Sequence, residues 1–258
     1  MFELTNRVAI ITGAASGIGA ATARVFAEAG ADIGIAWYPG DPHDVEPVRE
    51  AVEAAGRRAI VCDVDVRDSG QVGALVERCV SELGRVDIAV ANAGIARTVP
   101  LEQLDDDAWY ETIDVDLTGV WRVFRAVLPH MRQAGYGRLI ATSSVAGTVS
   151  AWPLHPQYAA AKAGLVGLVH NLAVDYGPDG ITANAVAPGV IETPQSLDPV
   201  NSLGPEGVAA VAAKVPLRRV GTPEDIAYLY QFLASEQSAY VTGQLIVADG
   251  ARSLAGLD

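Results

Sequence analysis

Tyr158 and Lys162 stand four residues apart in YAAAK, and a serine pair, Ser143-Ser144, precedes them across VAGTVSAWPLHPQ. On a helix the two side chains share one face, one turn apart, so the ammonium can lie beside the phenol oxygen. A free phenol ionises near pH 10, so service as a base near neutrality requires a drop of ~3 units, or ~4 kcal/mol. One positive charge ~4 Å away at an effective dielectric of ~20 supplies about that much. A phenol acidified in this way takes a proton from an alcohol or returns one to a nascent alkoxide. A serine hydroxyl nearby would hold and polarise the same oxygen. Packing accounts for the alanines between them, but not for three polar groups.

These residues must be positioned by regular elements, and the chain supplies them in alternation. Short apolar runs rich in β-branched residues fall at 7–12, 31–37, 58–64, 86–92, 137–143, 181–187 and 244–249, with the character of strands buried on both faces. Helical patterns lie between them at 17–30, 44–55, 69–83, 107–134, 157–176 and 223–235, several closed by Gly or Gly-Pro stops such as Tyr176-Gly177-Pro178. Alternating strand and helix predicts an α/β fold with a seven-stranded parallel sheet, right-handed crossovers and helices on both faces. No linker or tandem repeat interrupts the series, so residues 1–258 are expected to form one domain. The stretch 189–222, rich in Pro and Gly, is expected to carry a lid over a site, at about 190–216.

Composition narrows the classes. Half of the 258 residues are hydrophobic and the formal net charge is −13. Nucleic-acid phosphates and anionic membrane surfaces would repel such a surface. Two cysteines, Cys62 and Cys79, form no metal or disulfide spacing and are expected as free thiols in a reducing cytoplasm. The first residues show no signal-peptide pattern, and no segment reaches the ~18 unbroken apolar residues of a membrane span. His43, His130, His155 and His170 form no ligand pair, so no metal is expected.

The first strand runs into Thr12-Gly-Ala-Ala-Ser-Gly-Ile-Gly19, which opens a helix. There Gly13, Gly17 and Gly19, with Ser16 and Ile18 between them, can supply a tight turn, close approach of backbone to a pyrophosphate, and close helix–sheet packing. No Lys-Ser/Thr follows, which argues against a nucleoside-triphosphate loop.

With that loop, Asn92-Ala93-Gly94, Tyr158-Ala-Ala-Ala-Lys162, Pro188-Gly189 and Tyr240-Val-Thr-Gly243, the sequence resembles the short-chain dehydrogenase/reductases over nearly its whole length. It is similar in particular to the group of 3-oxoacyl-carrier-protein reductases and glucose dehydrogenases. The resemblance implies a Rossmann-type doubly wound fold and hydride transfer between NAD(H) or NADP(H) and a small secondary alcohol or ketone. Tyr158 would be the acid/base, Lys162 its charge partner and Ser144, rather than Ser143, the hydroxyl that holds the oxygen. It also implies a homotetramer with helices 107–134 and 157–176 paired across a two-fold axis.

One departure concerns the proton relay. The family places Asn in a V-N-L-x-G pattern, where this chain has Val115-Asp116-Leu117-Thr118-Gly119. The family role of that residue belongs to its backbone carbonyl, so Asp116 is expected to fill the position with activity retained. Its carboxylate near Lys162 would partly offset the ammonium's pull on Tyr158. The alternative reading, a cofactor-binding regulatory protein with little turnover, draws only on this substitution.

The end of the second strand, Trp37-Tyr38-Pro39-Gly40-Asp41, carries neither the acid of NAD-specific relatives nor the base of NADP-specific ones. No basic residue occurs between Arg24 and Arg49, while Asp41 and Asp44 are close by, which leans to NAD(H). Trp37 and Tyr38 are expected on the adenosine side. By resemblance, Asp65 and Val66 face the adenine, and Pro188, Gly189, Ile191 and Thr193 border the nicotinamide. Trp152, Leu154, His155 and Val190 are expected to wall the substrate pocket. An extra residue between Ser144 and Tyr158 is expected to bulge near Trp152-Pro153.

Overall fold

The computed structural model describes residues 2–255. Seven parallel strands form one sheet: β1 Val8–Thr12, β2 Asp32–Trp37, β3 Ala59–Asp63, β4 Ile88–Ala91, β5 Gly137–Thr142, β6 Ile181–Pro188 and β7 Leu245–Ala248. Their order is β3-β2-β1-β4-β5-β6-β7. The direction of winding reverses between β1 and β4, and ligands of open α/β sheets bind in the crevice at such a point. This is the Rossmann-type doubly wound fold expected from the sequence.

Alternation along the strands decides which helix covers which face. Ala9 and Ile11 of β1 turn to one side, with α1 (Gly17–Glu28), α2 (Glu46–Ala54) and α9 (Pro223–Ala234), around buried Phe26 and Tyr230. Val8 and Ile10 turn to the other, with α3 (Ser69–Leu83), α5 (Gly119–Ala134) and α6 (Pro156–Tyr176), around Phe124, Met131 and Leu139. Each side chain so buried contributes roughly 1.5–3 kcal/mol, which is why both faces must be covered.

One expectation is corrected. The helix expected at 107–134 is split into α4 (Asp106–Ile113) and α5 by a π-helical turn over Asp114–Thr118. Hydrophobic periodicity runs through such a turn with little change, so it left no mark in the pattern. The stretch 189–222 folds two helices, α7 (Pro194–Leu197) and α8 (Gly204–Lys214). Pro194 and Pro205 sit in first helical turns, where a missing N–H costs nothing. No helix among the described residues is long and apolar enough to cross a membrane.

Candidate active site

The crevice at the carboxyl ends of β1, β4, β5 and β6 opens into a cavity of about 410 Å³. Its floor is fastened by two side chains. The Thr12 hydroxyl accepts the N–H groups of Asn92 and Ala93, both at 3.0 Å. The Asn92 amide donates to the Thr12 carbonyl at 3.1 Å and the Gly13 carbonyl at 3.2 Å, while its oxygen accepts from Thr142 at 3.2 Å. Asn92 thus ties three strand ends together across the switch point. Thr142 continues inward to the buried Tyr230 hydroxyl at 2.7 Å, a connection with no sequence signature.

The glycine loop has no room for a side chain at Gly19. A Cβ on Gly19 would lie 2.1 Å from the Gly13 carbonyl oxygen and 2.8 Å from the Asn92 amide nitrogen. Ser16 precedes α1 without capping it through its side chain, and the first turn holds no acid. The helix therefore directs free N–H groups and an uncompensated positive dipole end at the cavity, the environment a pyrophosphate requires. Gly13, Ser16, Gly17, Ile18, Ala93 and Gly94 line the cavity. Gly19 lies beneath the loop. Thr193 caps α7 and packs its methyl over Gly17, with Ile191 bridged to Gly221 behind it.

The candidate reacting groups, Ser144, Tyr158 and Lys162, also line the cavity. Ser143 and Ser144 follow β5, and their roles separate cleanly. The Ser143 hydroxyl donates to the Lys162 carbonyl at 2.8 Å, fastening the strand to α6, while the Ser144 hydroxyl faces the phenol of Tyr158. Lys162 Nζ donates to the Thr142 carbonyl at 3.0 Å and pairs with the Asp116 carboxylate at 3.2 Å. Asp116 sits in the π turn and also accepts the Ile95 N–H at 2.8 Å. A Cβ on Gly94 would stand 3.1 Å from both Asp116 Oδ2 and Lys162 Nζ, so the backbone passes close against this pair.

Electrostatics here departs from the sequence argument. Burial pushes the Tyr158 phenol above its ordinary pKa; Lys162 pulls it down, Asp116 pushes it up, and Ser144 lowers it. The acidified phenol expected from one nearby charge is therefore not what the folded chain presents, because desolvation and the neighbouring carboxylate outweigh the ammonium. Burial opposes the charge on Lys162, but Asp116 and Tyr158 hold its pKa above the ordinary value. Burial likewise raises Asp116 against the pull of Lys162 and the Ile95 N–H.

The remaining expected residues divide into two groups. Trp152, Val190, Pro188, Gly189, Ile191 and Thr193 line the cavity. Trp152 meets the Tyr158 ring edge-on at 5.5 Å and stacks on His155 at 3.7 Å. His155 is buried behind it, against the carbonyls of Pro153 at 2.7 Å and Asn201 at 3.2 Å, so it buttresses the wall without facing the cavity. Leu154 is half exposed with φ +64°, which places the local distortion beside Trp152-Pro153 and turns its side chain outward. Trp37, Tyr38, Asp65 and Val66 lie at the ends of β2 and β3, beyond the walled cavity; Asp41 is the residue of that region that lines it. The loop after β3 also brings up Arg67, too far along the sequence to have been associated with Tyr38. Asp65 holds its guanidinium at 2.7 Å.

The family profile described as enoyl-(acyl carrier protein) reductase matches residues 13–251. The cis-4-hydroxycyclohexanecarboxylate dehydrogenase of Sinomonas cyclohexanicum is 43% identical over 95% of this chain and 96% of its own. The 3-oxoacyl-acyl-carrier-protein reductase of Thermotoga maritima is 37% identical over 96% and 98%. Among solved structures, carveol dehydrogenase from Mycobacterium avium in complex with NAD superposes with a TM-score of 0.90 at 34% identity, covering 98% of this chain and 99% of that one. The chain belongs to the short-chain dehydrogenase/reductase family. Its activity class is that of an NAD(P)-dependent alcohol dehydrogenase or carbonyl reductase.

Proposed function

We propose that Tyr158 transfers the proton in an NAD(H)-dependent interconversion of a ring-borne secondary alcohol and its ketone, with Lys162 and Ser144 as partners and Asp116 setting the local charge. The observation that carries this reading is the convergence of the Tyr158 phenol, the Ser144 hydroxyl and the Lys162 ammonium on the cavity that begins at the glycine loop. The glycine loop, the uncapped start of α1 and Asp41 fit a nicotinamide dinucleotide laid along that cavity.

When bound, the dinucleotide supplies the hydride acceptor in oxidation and the hydride donor in reduction. In reduction, Ser144 and Tyr158 would both hydrogen-bond the carbonyl oxygen, and Tyr158 would protonate it as negative charge develops. Lys162 would stabilise the phenolate left behind. A phenol held above its ordinary pKa is a ready acid at neutral pH, and it is the weaker base there, so oxidation would require higher pH.

NAD(H) is favoured over NADP(H) because Asp41 lines the cavity and Asp65 occupies Arg67, leaving no free cation in the described residues near the end of β2. A ring-borne alcohol is favoured by the relative whose name places a hydroxyl on a cyclohexane ring and by Trp152, Leu203 and Val211 in the wall. Tyr110, Trp121 and Val174 leave apolar surface exposed on α4, α5 and α6, which supports a homotetramer, measurable by light scattering.

The test of activity is absorbance at the reduced-nicotinamide band with NADH and NADPH separately against a panel of cyclic and open-chain ketones. Oxidation of NADH by ring ketones, at least tenfold faster than of NADPH, is expected. Absence of turnover with either dinucleotide contradicts the reading.

A further inference from the structure

Besides Tyr158, four ionisable side chains line the cavity: Asp41, Lys162, Asp249 and Arg252. Three of them are already engaged. Asp41 accepts the His43 backbone N–H at 2.9 Å and meets the His43 ring at 2.6 Å. Lys162 is paired with Asp116. The Asp249 carboxylate accepts the Ala251 N–H at 2.9 Å and the Ser253 N–H at 2.7 Å. Arg252 differs: its side chain is half-buried and makes no hydrogen bond or ion pair among the described residues.

The turn that carries Arg252 is built with care. After β7 the chain takes left-handed conformations at Gly250 (φ +63°) and Ala251 (φ +68°), and the Arg252 N–H closes on the Asp249 carbonyl at 3.1 Å. A non-glycine residue holds that conformation only where its surroundings enforce it. Here Asp249 enforces it through its two backbone bonds. The turn is seated directly on the border of the site, since a Cβ on Gly189 would lie 2.7 Å from Asp249 Cβ. Arg252 lines the cavity together with Val190, Val211 and Asp249, and it also borders a second, smaller cavity that includes Asp225.

The strand that leads into Arg252 lies at an edge of the sheet, away from the glycine loop. The glycine loop follows β1, four strand spacings from β7, or ~19 Å across the sheet. The end of β2, where a ribose phosphate would fall, is one spacing further away. A guanidinium withdrawn from bulk water without a counter-charge is unfavourable, and the ligand that relieves it best is a planar oxyanion bound through two parallel N–H groups.

We infer that Arg252 anchors a carboxylate on the substrate, so that the enzyme acts on hydroxy acids and their oxo-acid counterparts in preference to neutral alcohols. This rests on the reading given under Proposed function and adds the charge of the substrate to it. An anion must approach against the net charge of −13, and Arg252 supplies a local offset inside the cavity. The carboxylate lies away from the reacting carbon in both ground and transition states, so the contact acts chiefly on KM.

The test compares the 3- and 4-hydroxycyclohexanecarboxylates with the matching carboxamides, in wild type, Arg252→Gln and Arg252→Lys, with NAD+. The expected result is an acid-to-amide ratio of kcat/KM of at least tenfold in wild type. That ratio collapses toward one in Arg252→Gln through a raised KM, and is partly restored in Arg252→Lys. A wild-type ratio near one, or a ratio preserved in Arg252→Gln, overturns the inference, since general damage to the fold would lower both rates together. If neither class of alcohol is turned over, the oxidoreductase roles fail separately, and the anchor is read from binding. Cyclohexanecarboxylate should then raise the unfolding midpoint of the NADH-saturated wild type and not of Arg252→Gln; an unmoved wild-type midpoint overturns it.

Discussion

The Asp116 carboxylate lies 3.2 Å from the Lys162 ammonium, with Asp116 fully buried and Lys162 buried but for its edge on the cavity. The contact is ionic; its geometry falls short of a hydrogen bond at Oδ2, while Oδ1 is satisfied by Ile95. An amide at this position would hold the Ile95 N–H equally well, so the carboxylate adds charge without adding a backbone contact. That charge stabilises Lys162 and opposes ionisation of Tyr158.

Asp116→Asn should therefore move the pH profile. Removing the negative charge lowers the Tyr158 pKa, so the acid limb of alcohol oxidation and the alkaline limb of ketone reduction both shift to lower pH, by about 1 unit. The check is kcat/KM against pH in both directions for wild type and variant. A profile that stays in place would show that the carboxylate does not act on the phenol. A rise in turnover of ~100-fold or more, ~2.7 kcal/mol, would show that the native site is impaired by its acid.

The same pair should be visible in stability. Lys162→Met leaves a buried carboxylate without its counter-charge and should cost about 3–5 kcal/mol. Combining it with Asp116→Asn removes the stranded charge and should recover at least ~1 kcal/mol of that loss. Urea unfolding of the two single variants and the double variant measures the coupling; strict additivity would mean the groups ignore each other.

Gly19→Ala should disable dinucleotide binding before it unfolds the protein. The new methyl collides with the Gly13 carbonyl and the Asn92 amide, forcing the loop off its hydrogen bonds. A stability loss of ~1–3 kcal/mol is expected, with NADH affinity reduced at least tenfold by fluorescence titration. Retained affinity would place the dinucleotide elsewhere.

The seven strands and the helix that carries Tyr158 and Lys162 were legible because strand alternation, glycine stops and the four-residue spacing are local signals. Ser144 against Ser143 was legible only by resemblance; the bond from Ser143 to the Lys162 carbonyl supplies the physical reason. What escaped was non-local. The π turn at Asp114–Thr118 keeps a helical pattern, and Arg67 comes near Tyr38 only once β3 lies beside β2. The raised Tyr158 pKa escaped for a different reason: a single-charge estimate contains no burial, and burial is the largest influence on that phenol.

The central claim is that the Tyr158 hydroxyl moves the proton beside a bound dinucleotide, and Tyr158→Phe tests it with the loss of one oxygen atom. Single-turnover reduction of a ring ketone by bound NADH should slow by about 10³-fold, within the range of general acid catalysis, while NADH affinity by fluorescence changes less than ~3-fold, under ~0.7 kcal/mol. A variant that transfers hydride at the wild-type rate would contradict the account.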